Sequence, residues 1–326
     1  MQAVLHARAG GPEVLEWQKV EDPVPGPEEL LVRVRASALN RADVLQRMGR
    51  YPAPPGAPAA IPGLEYAGEV ARCGSRVSLW RTGDRVMGLV GGGAHAEYVV
   101  VHERTALRIP PALAWESAAA FPEAFLTAYD ALFTRGRLRP GEVVLITAAG
   151  SGVGTAAAQV ASVAGARVIG LTRTPEKRSR LASFGVTHAL DPASSDLPAA
   201  VRAASGSAGA DLALDLVGGP GISTVMDALA PRGRLVLLGL LAGAAARIDL
   251  SRVLSRRLTI VGTVLRSRPL EEKIALAQEV AHTLLPLLAA GRIKPVIDRV
   301  VPMIDIARAH RALERDETFG KIVLHL

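Results

Sequence analysis

One uncharged stretch constrains the fold of this chain more than any other feature of its sequence. Residues 143–166 read VVLITAAGSGVGTAAAQVASVAGA and contain no charged side chain. The stretch is long enough to cross a bilayer, but Gly150, Ser151, Gly152 and Gly154 interrupt its middle. Glycine and serine favour a tight turn, and here they separate a β-branched run from an alanine-rich run. The pattern predicts a strand, a turn and a helix in a soluble protein with no membrane-spanning segment.

A strand, a glycine-rich turn and a helix in this order form the geometry that binds the pyrophosphate of a dinucleotide. Glycines let the backbone approach the phosphates, and the helix N-terminus offers free N–H groups and the positive end of a dipole. The candidate phosphate-binding residues are Ser151, Gly152, Val153 and Gly154. A purely structural turn is the alternative, but strand and helix patterns continue beyond it, as the dinucleotide fingerprint requires.

The end of the next strand bears on which dinucleotide binds. A free ribose 2′-hydroxyl is usually held by an acidic residue at this point. The sequence RVIGLTRTPEK, residues 167–177, has no carboxylate at the strand end and offers Arg173, Thr174 and Lys177 instead. Arginine can bind a phosphate in bidentate fashion. We therefore predict NADPH rather than NADH, the alternative being a solvated helix start with ordinary surface charges.

The strand and helix patterns differ between two parts of the chain. Before about residue 120, short alternating runs and a proline-rich loop at residues 51–63 suggest an antiparallel, barrel-like domain. From residue 124, continuous apolar strands alternate with helices, which is typical of a parallel sheet covered on both faces. The pattern then predicts one long helix over residues 269–291 and a final strand at GKIVLHL.

Charge and cysteine content narrow the classes of function. The formal net charge is +7, but the arginines are scattered and aromatic residues make up only 4% of the chain. A nucleic-acid surface with stacked bases is therefore not favoured.

Cys73 is the only cysteine, which excludes an intramolecular disulfide and any multi-cysteine zinc site. A reducing cytoplasm is the location that this cysteine usage favours.

Asn40 is the only asparagine in the chain, and it follows directly after the alternating run LLVRVRASAL. Asparagine accepts left-handed backbone angles and bonds to its own main chain, so a plain turn residue is one interpretation. A functional amide at a loop rim is the other, because positioning groups concentrate in loops held by rigid elements.

Several motifs have counterparts in a known family. Beside ASALNRAD and the glycine-rich segment they are GLEYAGEV at 63–70, FPEAFLTAYDAL at 121–132, DLVGG at 215–219, VLRSR at 264–268 and GKIVL at 320–324. In the order and spacing of these motifs the chain resembles, along nearly its whole length, the medium-chain dehydrogenase/reductases. Within them it resembles the zinc-free, zeta-crystallin-like quinone oxidoreductase branch.

The resemblance implies an α/β fold with two domains. A GroES-like, partly open β-barrel would form the catalytic domain from residues 1–123 and 265–326. A Rossmann domain, with its doubly wound parallel sheet, would occupy residues 124–264. The family also implies a cleft that holds NADPH, and a homodimer commonly built by joining the Rossmann sheets.

The resemblance further implies roles for individual residues. Asn40 would lie beside the nicotinamide and the substrate, and Tyr51 would line the quinone pocket, so both are catalytic candidates. Thr127 and Leu265 would contact the cofactor. A loop tyrosine on apolar surface and a helix threonine with an intrahelical bond are the structural alternatives. Zinc-dependent relatives carry metal ligands where Asn40 and Leu64 stand, so no metal is expected.

The implied chemistry is the reduction of a quinone, or a related electron acceptor, by NADPH. A quinone can take a hydride directly and pick up protons from water, so the protein need only position the reactants. One alternative is an NADPH-dependent enone, alkenal or enoyl reductase, in which Tyr51 would have to supply a proton. An alternative of another class is an NADPH-sensing protein that binds RNA.

Overall fold

The computed structural model describes residues 1–326, which fall into two units. Both ends of the chain, Met1–Leu126 and Leu265–Leu326, build the first, called the terminal unit below. The continuous segment Thr127–Val264 builds the second, called the central unit.

Fifteen strands form in the chain, and the longer ones are the apolar or alternating runs that stand out in the sequence. They are β1 (Gln2–Leu5), β2 (Glu16–Lys19), β3 (Glu29–Leu39), β4 (Glu65–Cys73), β5 (Arg85–Leu89), β6 (Tyr98–His102), β7 (Leu107–Arg108), β8 (Val143–Ile146), β9 (Arg167–Leu171), β10 (His188–Leu190), β11 (Ala210–Asp215), β12 (Leu229–Leu237), β13 (Thr259–Gly262), β14 (Ile297–Pro302) and β15 (Lys321–His325).

Eleven α-helices connect or cover the strands. They are α1 (Arg41–Arg47), α2 (Trp115–Ala119), α3 (Pro122–Tyr129), α4 (Gly152–Val163), α5 (Pro175–Leu181), α6 (Leu197–Ser205), α7 (Ile222–Asp227), α8 (Leu250–Arg256), α9 (Leu270–Thr283), α10 (Leu285–Ala289) and α11 (Ile306–Glu314). None of these helices combines the length and the apolar character that crossing a membrane requires.

The prediction of one long helix over residues 269–291 is wrong. The chain forms α9 and α10 there, with Leu284 between them. Pro286 is the cause, because proline has no N–H to donate to the preceding turn and its ring crowds the carbonyl four residues earlier. It is tolerated in the first turn of a new helix, where that N–H would have no partner in any case.

The central unit is a six-stranded parallel sheet in the order β10-β9-β8-β11-β12-β13. Numbered within the unit this order is 3-2-1-4-5-6, the doubly wound arrangement of dinucleotide-binding folds. All four residues of β8 are buried, and Val144 pairs with Val168 on one side and Leu212 on the other. The glycine-rich turn therefore leaves the carboxyl end of a central strand, at the point where the strand order reverses. The predicted Rossmann sheet is confirmed.

The terminal unit contains a mixed sheet in the order β14-β15-β3-β4-β5-β7, with β6 also paired to β3. All of its pairs are antiparallel except β14 with β15. Strand β15, from the end of the chain, lies against the last part of β3, and Ile322 faces Leu39 across this pair. The start of β15 is thereby brought beside Asn40, the residue that follows β3.

Helix α1 is anchored by a buried polar cluster. Arg47 is fully buried, donates from Nε to the carbonyl of Gly10 at 3.0 Å, and forms an ion pair with Glu314 of α11. Its Nη1 lies 3.2 Å from Nδ1 of His310. Burial lowers the pKa of His310 to about 3, so this imidazole stays neutral beside the guanidinium. Because the cluster fixes α1, it also fixes the position of Asn40 at the start of the helix.

Candidate functional site

The glycine-rich turn presents backbone donors at the start of α4. Ser151 is the N-cap residue, and its Oγ accepts the N–H of Gly154 at 3.0 Å. The N–H of Ser151 donates to the carbonyl of Ala148 at 2.9 Å. The N–H groups of Gly152 and Val153 have no acceptor within the protein. Two free donors at a helix N-terminus are what a phosphate group needs.

Gly154 is required because the helix and the turn approach each other closely. A Cβ on this residue would lie 2.5 Å from the carbonyl oxygen of Ala148 and 2.7 Å from Cα of Ala149. Both contacts are with backbone atoms, so neither can yield by rotating a side chain. Ala148 itself has a positive φ of 47°, which is costly for a residue with a Cβ. The tight turn is therefore fixed in a conformation that keeps the first N–H groups of α4 exposed.

Thr127 carries a buried hydroxyl near the start of the central unit. Its Oγ1 is buried and has no hydrogen-bond partner, so the intrahelical bond considered for it from the sequence is not formed. A buried hydroxyl without a partner costs about 1–3 kcal/mol. Together with the free donors of Gly152 and Val153, this hydroxyl fits a dinucleotide that brings its own acceptors.

The strand that follows the glycine turn ends in the predicted cationic segment. Arg173 is exposed, Thr174 is the N-cap residue of α5, and Lys177 is half-buried in the first turns of that helix. Arg178, which sequence reasoning missed, donates to the carbonyls of Thr172 and Arg173 at 3.0 and 2.9 Å. It therefore fixes the backbone from which the Arg173 side chain extends.

The backbone of Asn40 is extended, with φ −122° and ψ 155°. Asn40 therefore does not use the left-handed backbone angles that asparagine accepts, although its side chain does bond to the nearby main chain at Ala38. Asn40 is the N-cap residue of α1, and the carboxylate of Asp43 accepts its N–H at 2.7 Å. Asp43 also accepts the N–H of Gly63 at 3.0 Å. The buried Asp43 thus joins the start of α1 to the segment that leads into β4.

The side-chain amide of Asn40 is fully bonded within the terminal unit. Its Nδ2 donates to Oε1 of Glu65 at 2.9 Å and to the carbonyl of Ala38 at 3.2 Å. Its Oδ1 accepts from Nζ of Lys321. Both amide hydrogens and the amide oxygen are therefore engaged by the protein itself.

A buried ion pair underlies these contacts. Nζ of Lys321 lies 2.6 Å from Oε1 of Glu65, and both residues are at most 5% exposed. Lys321 also donates to the carbonyl of Leu39 at 3.1 Å. The second oxygen of Glu65 accepts the N–H of Glu123 at 2.8 Å. One carboxylate thus connects β15, Asn40 and the start of α3.

Tyr51 is held by an arginine that sequence reasoning did not identify. The guanidinium of Arg266 lies 5.2 Å from the centre of the Tyr51 ring, within cation–π range. It donates to the carbonyls of Tyr51 at 3.2 Å and Gly91 at 2.8 Å, and to Oε1 of Gln46. Burial raises the pKa of Tyr51, and the charge of Glu123 raises it further, so the phenol stays neutral.

The predicted site residues divide between the two units. Asn40, Tyr51 and the buried Leu265 belong to the terminal unit. The other predicted site residues belong to the central unit, namely Thr127, Ser151, Gly152, Val153, Gly154, Arg173, Thr174 and Lys177.

The chain has no group of three or more His, Cys, Asp or Glu that could hold a metal ion. Leu64, at one position where a metal ligand stands in zinc-dependent relatives, is 2% exposed and part of the core.

Two family models match the chain. Residues 26–111 match the alcohol dehydrogenase GroES-like domain, and residues 152–281 match the zinc-binding dehydrogenase family. The chain is 35% identical to the quinone oxidoreductase of Pseudomonas aeruginosa over 98% of both chains. The solved structure of mycobacterial Rv1454c complexed with NADPH is similar over 100% of both chains, at 27% identity and a TM-score of 0.90. An NAD-dependent alcohol dehydrogenase is similar over 100% of both chains, at 33% identity and a TM-score of 0.88. These similarities confirm the predicted fold class.

The bonded amide of Asn40 generates a prediction about stability. Asn40→Asp keeps a good N-cap residue, but it removes both amide donors and places a second carboxylate against Glu65. We expect the free energy of unfolding to fall by about 1–3 kcal/mol, measured by denaturant titration. Equal stability of Asn40→Asp and the unmodified chain would show that the amide contacts contribute nothing.

Proposed function

We propose that this chain, which belongs to the zinc-free quinone oxidoreductase branch of the medium-chain dehydrogenase/reductase superfamily, catalyses the reduction of quinones by NADPH. The observation that carries the proposal is the similarity to a bacterial quinone oxidoreductase over 98% of both chains. The glycine-rich turn supports it independently, because its free N–H donors suit a dinucleotide pyrophosphate.

In this proposal the central unit binds most of the cofactor. The N–H groups of Gly152 and Val153 bind the pyrophosphate, and the Ser151 hydroxyl, which already accepts from Gly154, donates its hydrogen to the same group. The Oγ1 of Thr127 obtains its missing partner from the cofactor. Arg173, Thr174 and Lys177 bind the 2′-phosphate, and the apolar side chain of Leu265 contacts the nicotinamide. When bound, NADPH supplies two electrons and a hydrogen nucleus as a hydride.

The terminal unit positions the acceptor in this proposal. The neutral phenol of Tyr51 can donate a hydrogen bond to a quinone oxygen, and Arg266 fixes its ring and backbone. Asn40 has both amide hydrogens bonded to Glu65 and Ala38. We therefore assign it a positioning role beside the cofactor and the acceptor.

We also propose a homodimer formed along β13 and a cytoplasmic location. Strand β13 is an edge of the central sheet, and Leu250, Leu254 and Ile260 are 70%, 78% and 37% exposed. An open edge with apolar neighbours is a surface for pairing with a second copy.

The free Cys73 is compatible with a reducing compartment. Subcellular fractionation would test the proposed cytoplasmic location.

The oligomeric state gives the dimer proposal a direct test. The double variant Leu254→Lys with Ile260→Lys places two charges on the apolar edge, and charged side chains blunt edge pairing. We expect light scattering to show a dimer for the unmodified chain and a monomer for the variant. A dimer of unchanged affinity in the variant would contradict an interface along β13.

The proposed activity is tested by oxidation of NADPH with a panel of acceptors. We expect turnover with benzoquinones and naphthoquinones, and little with alkenals, enones or enoyl thioesters of similar size. Absorbance of the reduced nicotinamide measures the rate, and product analysis identifies the hydroquinone. Turnover of the enones alone would replace the quinone reductase with an enone reductase. If neither the quinones nor the enones cause oxidation of NADPH, both assignments would be contradicted.

The preference for NADPH should depend on the cationic segment after β9. The double variant Arg173→Ala with Lys177→Ala removes the proposed phosphate contacts, and charge-assisted hydrogen bonds of this kind contribute about 1.5–3 kcal/mol. We expect the Kd for NADPH to rise about tenfold or more while the Kd for NADH stays the same, measured by nicotinamide fluorescence. Arg202→Ala, an exposed arginine of α6, is the matched control. Equal losses for both cofactors would contradict the assignment.

A further inference from the structure

One buried carboxylate of the central unit connects two turns at the carboxyl ends of the parallel strands. Asp215 is the last residue of β11 and is 1% exposed. Its Oδ1 accepts the hydroxyl of Thr147 at 2.7 Å and the N–H of Val217 at 3.1 Å. Its Oδ2 accepts the N–H of Gly218 at 3.0 Å. A buried charge is costly unless such bonds compensate for it, so Asp215 holds these three donors together.

Thr147 links this carboxylate to the glycine-rich turn, because it lies directly between β8 and that turn. Its hydroxyl donates to Asp215 and accepts the N–H of Leu216 at 2.9 Å. Its own N–H donates to the carbonyl of Leu214 at 3.0 Å. The next residue, Ala148, has the positive φ that starts the glycine-rich turn. One buried hydroxyl thus ties the start of this turn to the turn that follows β11.

The turn after β11 has a strained backbone. Gly218 has φ 64° and ψ −153°, a region that only glycine adopts readily. Gly219 also has a φ of 64°, and a Cβ on it would lie 2.5 Å from the carbonyl oxygen of Ala242. The N–H of Ala242 donates to the carbonyl of Val217 at 2.8 Å, so the turn packs closely on the segment that follows β12. Strained backbone persists only where its surroundings hold it, and Asp215 supplies the acceptor for the N–H of Gly218.

These contacts lie where a doubly wound sheet binds a dinucleotide. Strands β8, β11 and β12 are neighbours in the sheet, and the ligand of such a fold crosses the carboxyl ends of the strands where their order reverses. The cationic segment that follows β9 lies on one side of β8, and the turns after β11 and β12 lie on the other. A dinucleotide bound with its adenosine half toward β9 therefore extends its second half over the turn after β11.

We propose that Thr147 and Asp215 form a positioning pair, which fixes the turn after β11 relative to the glycine-rich turn and so fits the site to a complete dinucleotide. This inference rests on the proposed binding of NADPH. Removal of the Thr147 hydroxyl leaves the N–H of Leu216 without an acceptor and Oδ1 of Asp215 without one of its donors. With the pair in place, binding does not have to order the two turns, and preorganisation of this kind raises affinity.

A purely structural role makes different predictions. If the pair only stabilised the central unit, its loss would make unfolding easier and leave ligand binding by the folded protein unchanged. If it only shaped the glycine-rich turn, its loss would weaken every ligand with a phosphate on that turn. A positioning role affects only ligands long enough to reach both turns. NADPH and NADH reach both, whereas adenosine 2′,5′-bisphosphate ends at the phosphate on the glycine-rich turn.

The binding test uses Thr147→Val, which keeps the shape of the side chain but removes its hydroxyl. We expect calorimetry to show the Kd for NADPH and for NADH each rising about fivefold or more, with the Kd for adenosine 2′,5′-bisphosphate changing less than about twofold. Thr147→Ser keeps a hydroxyl and should restore the affinity for both dinucleotides. Thr187→Val is the matched control, because the Thr187 hydroxyl donates to the carbonyl of Val168 at 2.8 Å near the opposite ends of the same strands. It should bind all three ligands as the unmodified chain does.

A second measurement uses the unmodified chain and decides the question even if Thr147→Val does not fold. Hydrogen exchange without any cofactor should show the N–H groups of Leu216, Val217 and Gly218 to be protected, because their acceptors are in place before the cofactor binds. Exchange of these three groups at the rate of an open loop would overturn the inference, since the turn would then not be held in advance.

The binding results can overturn the inference in three further ways. Unchanged affinity of Thr147→Val for both dinucleotides would do so, as would an equal loss for adenosine 2′,5′-bisphosphate or a failure of Thr147→Ser to restore binding. The proposed function fails separately. If the unmodified chain binds NADPH but reduces no quinone, the quinone reductase is contradicted and the positioning pair stands. If the unmodified chain binds neither dinucleotide, both are contradicted.

Discussion

The buried ion pair between Lys321 and Glu65 is the contact on which the terminal unit depends. Lys321 belongs to the last strand of the chain and Glu65 to a strand near its start, and their charged atoms lie 2.6 Å apart. Each charge is costly to bury unless the other is present, and removal of one partner from such a pair typically costs about 3–5 kcal/mol. The pair therefore favours the placement of β15 against β3, and the amide of Asn40 contacts both charged groups.

The two units differ in whether they are built from one continuous segment of the chain. The central unit is the unbroken segment Thr127–Val264, and its parallel sheet is completed by strands that follow one another along the chain. The terminal unit is completed only when β14 and β15 join a sheet that began with β3. Closing so long a loop costs conformational entropy, which the ion pair and the antiparallel pairing of β15 with β3 offset.

The same difference decides what could be predicted from the sequence. The parallel sheet and the glycine-rich turn are local patterns, and both could be identified from residues close together in the chain. Pro286 could also have ended the predicted long helix, because its effect is local. The partners of Asn40 and Tyr51 could not be predicted. Lys321 is 281 residues from Asn40, and Arg266 is 215 residues from Tyr51. No periodicity or spacing relates residues so far apart, so the rarity of asparagine could mark Asn40 without showing what it binds.

The position of Lys321 also gives a physical reason why a metal ion would not fit beside Asn40 in this chain. The ammonium group takes one oxygen from each of Glu65, Asn40 and Leu39, and oxygen atoms of these kinds are what a hard cation would need. A second cation placed among them would meet the charge of Lys321 at short range in a buried setting, where repulsion is weakly screened. The neutral amide of Asn40 suits such a site, because it can donate to the carboxylate and accept from the ammonium at once. The cluster is thereby satisfied by the protein's own charges.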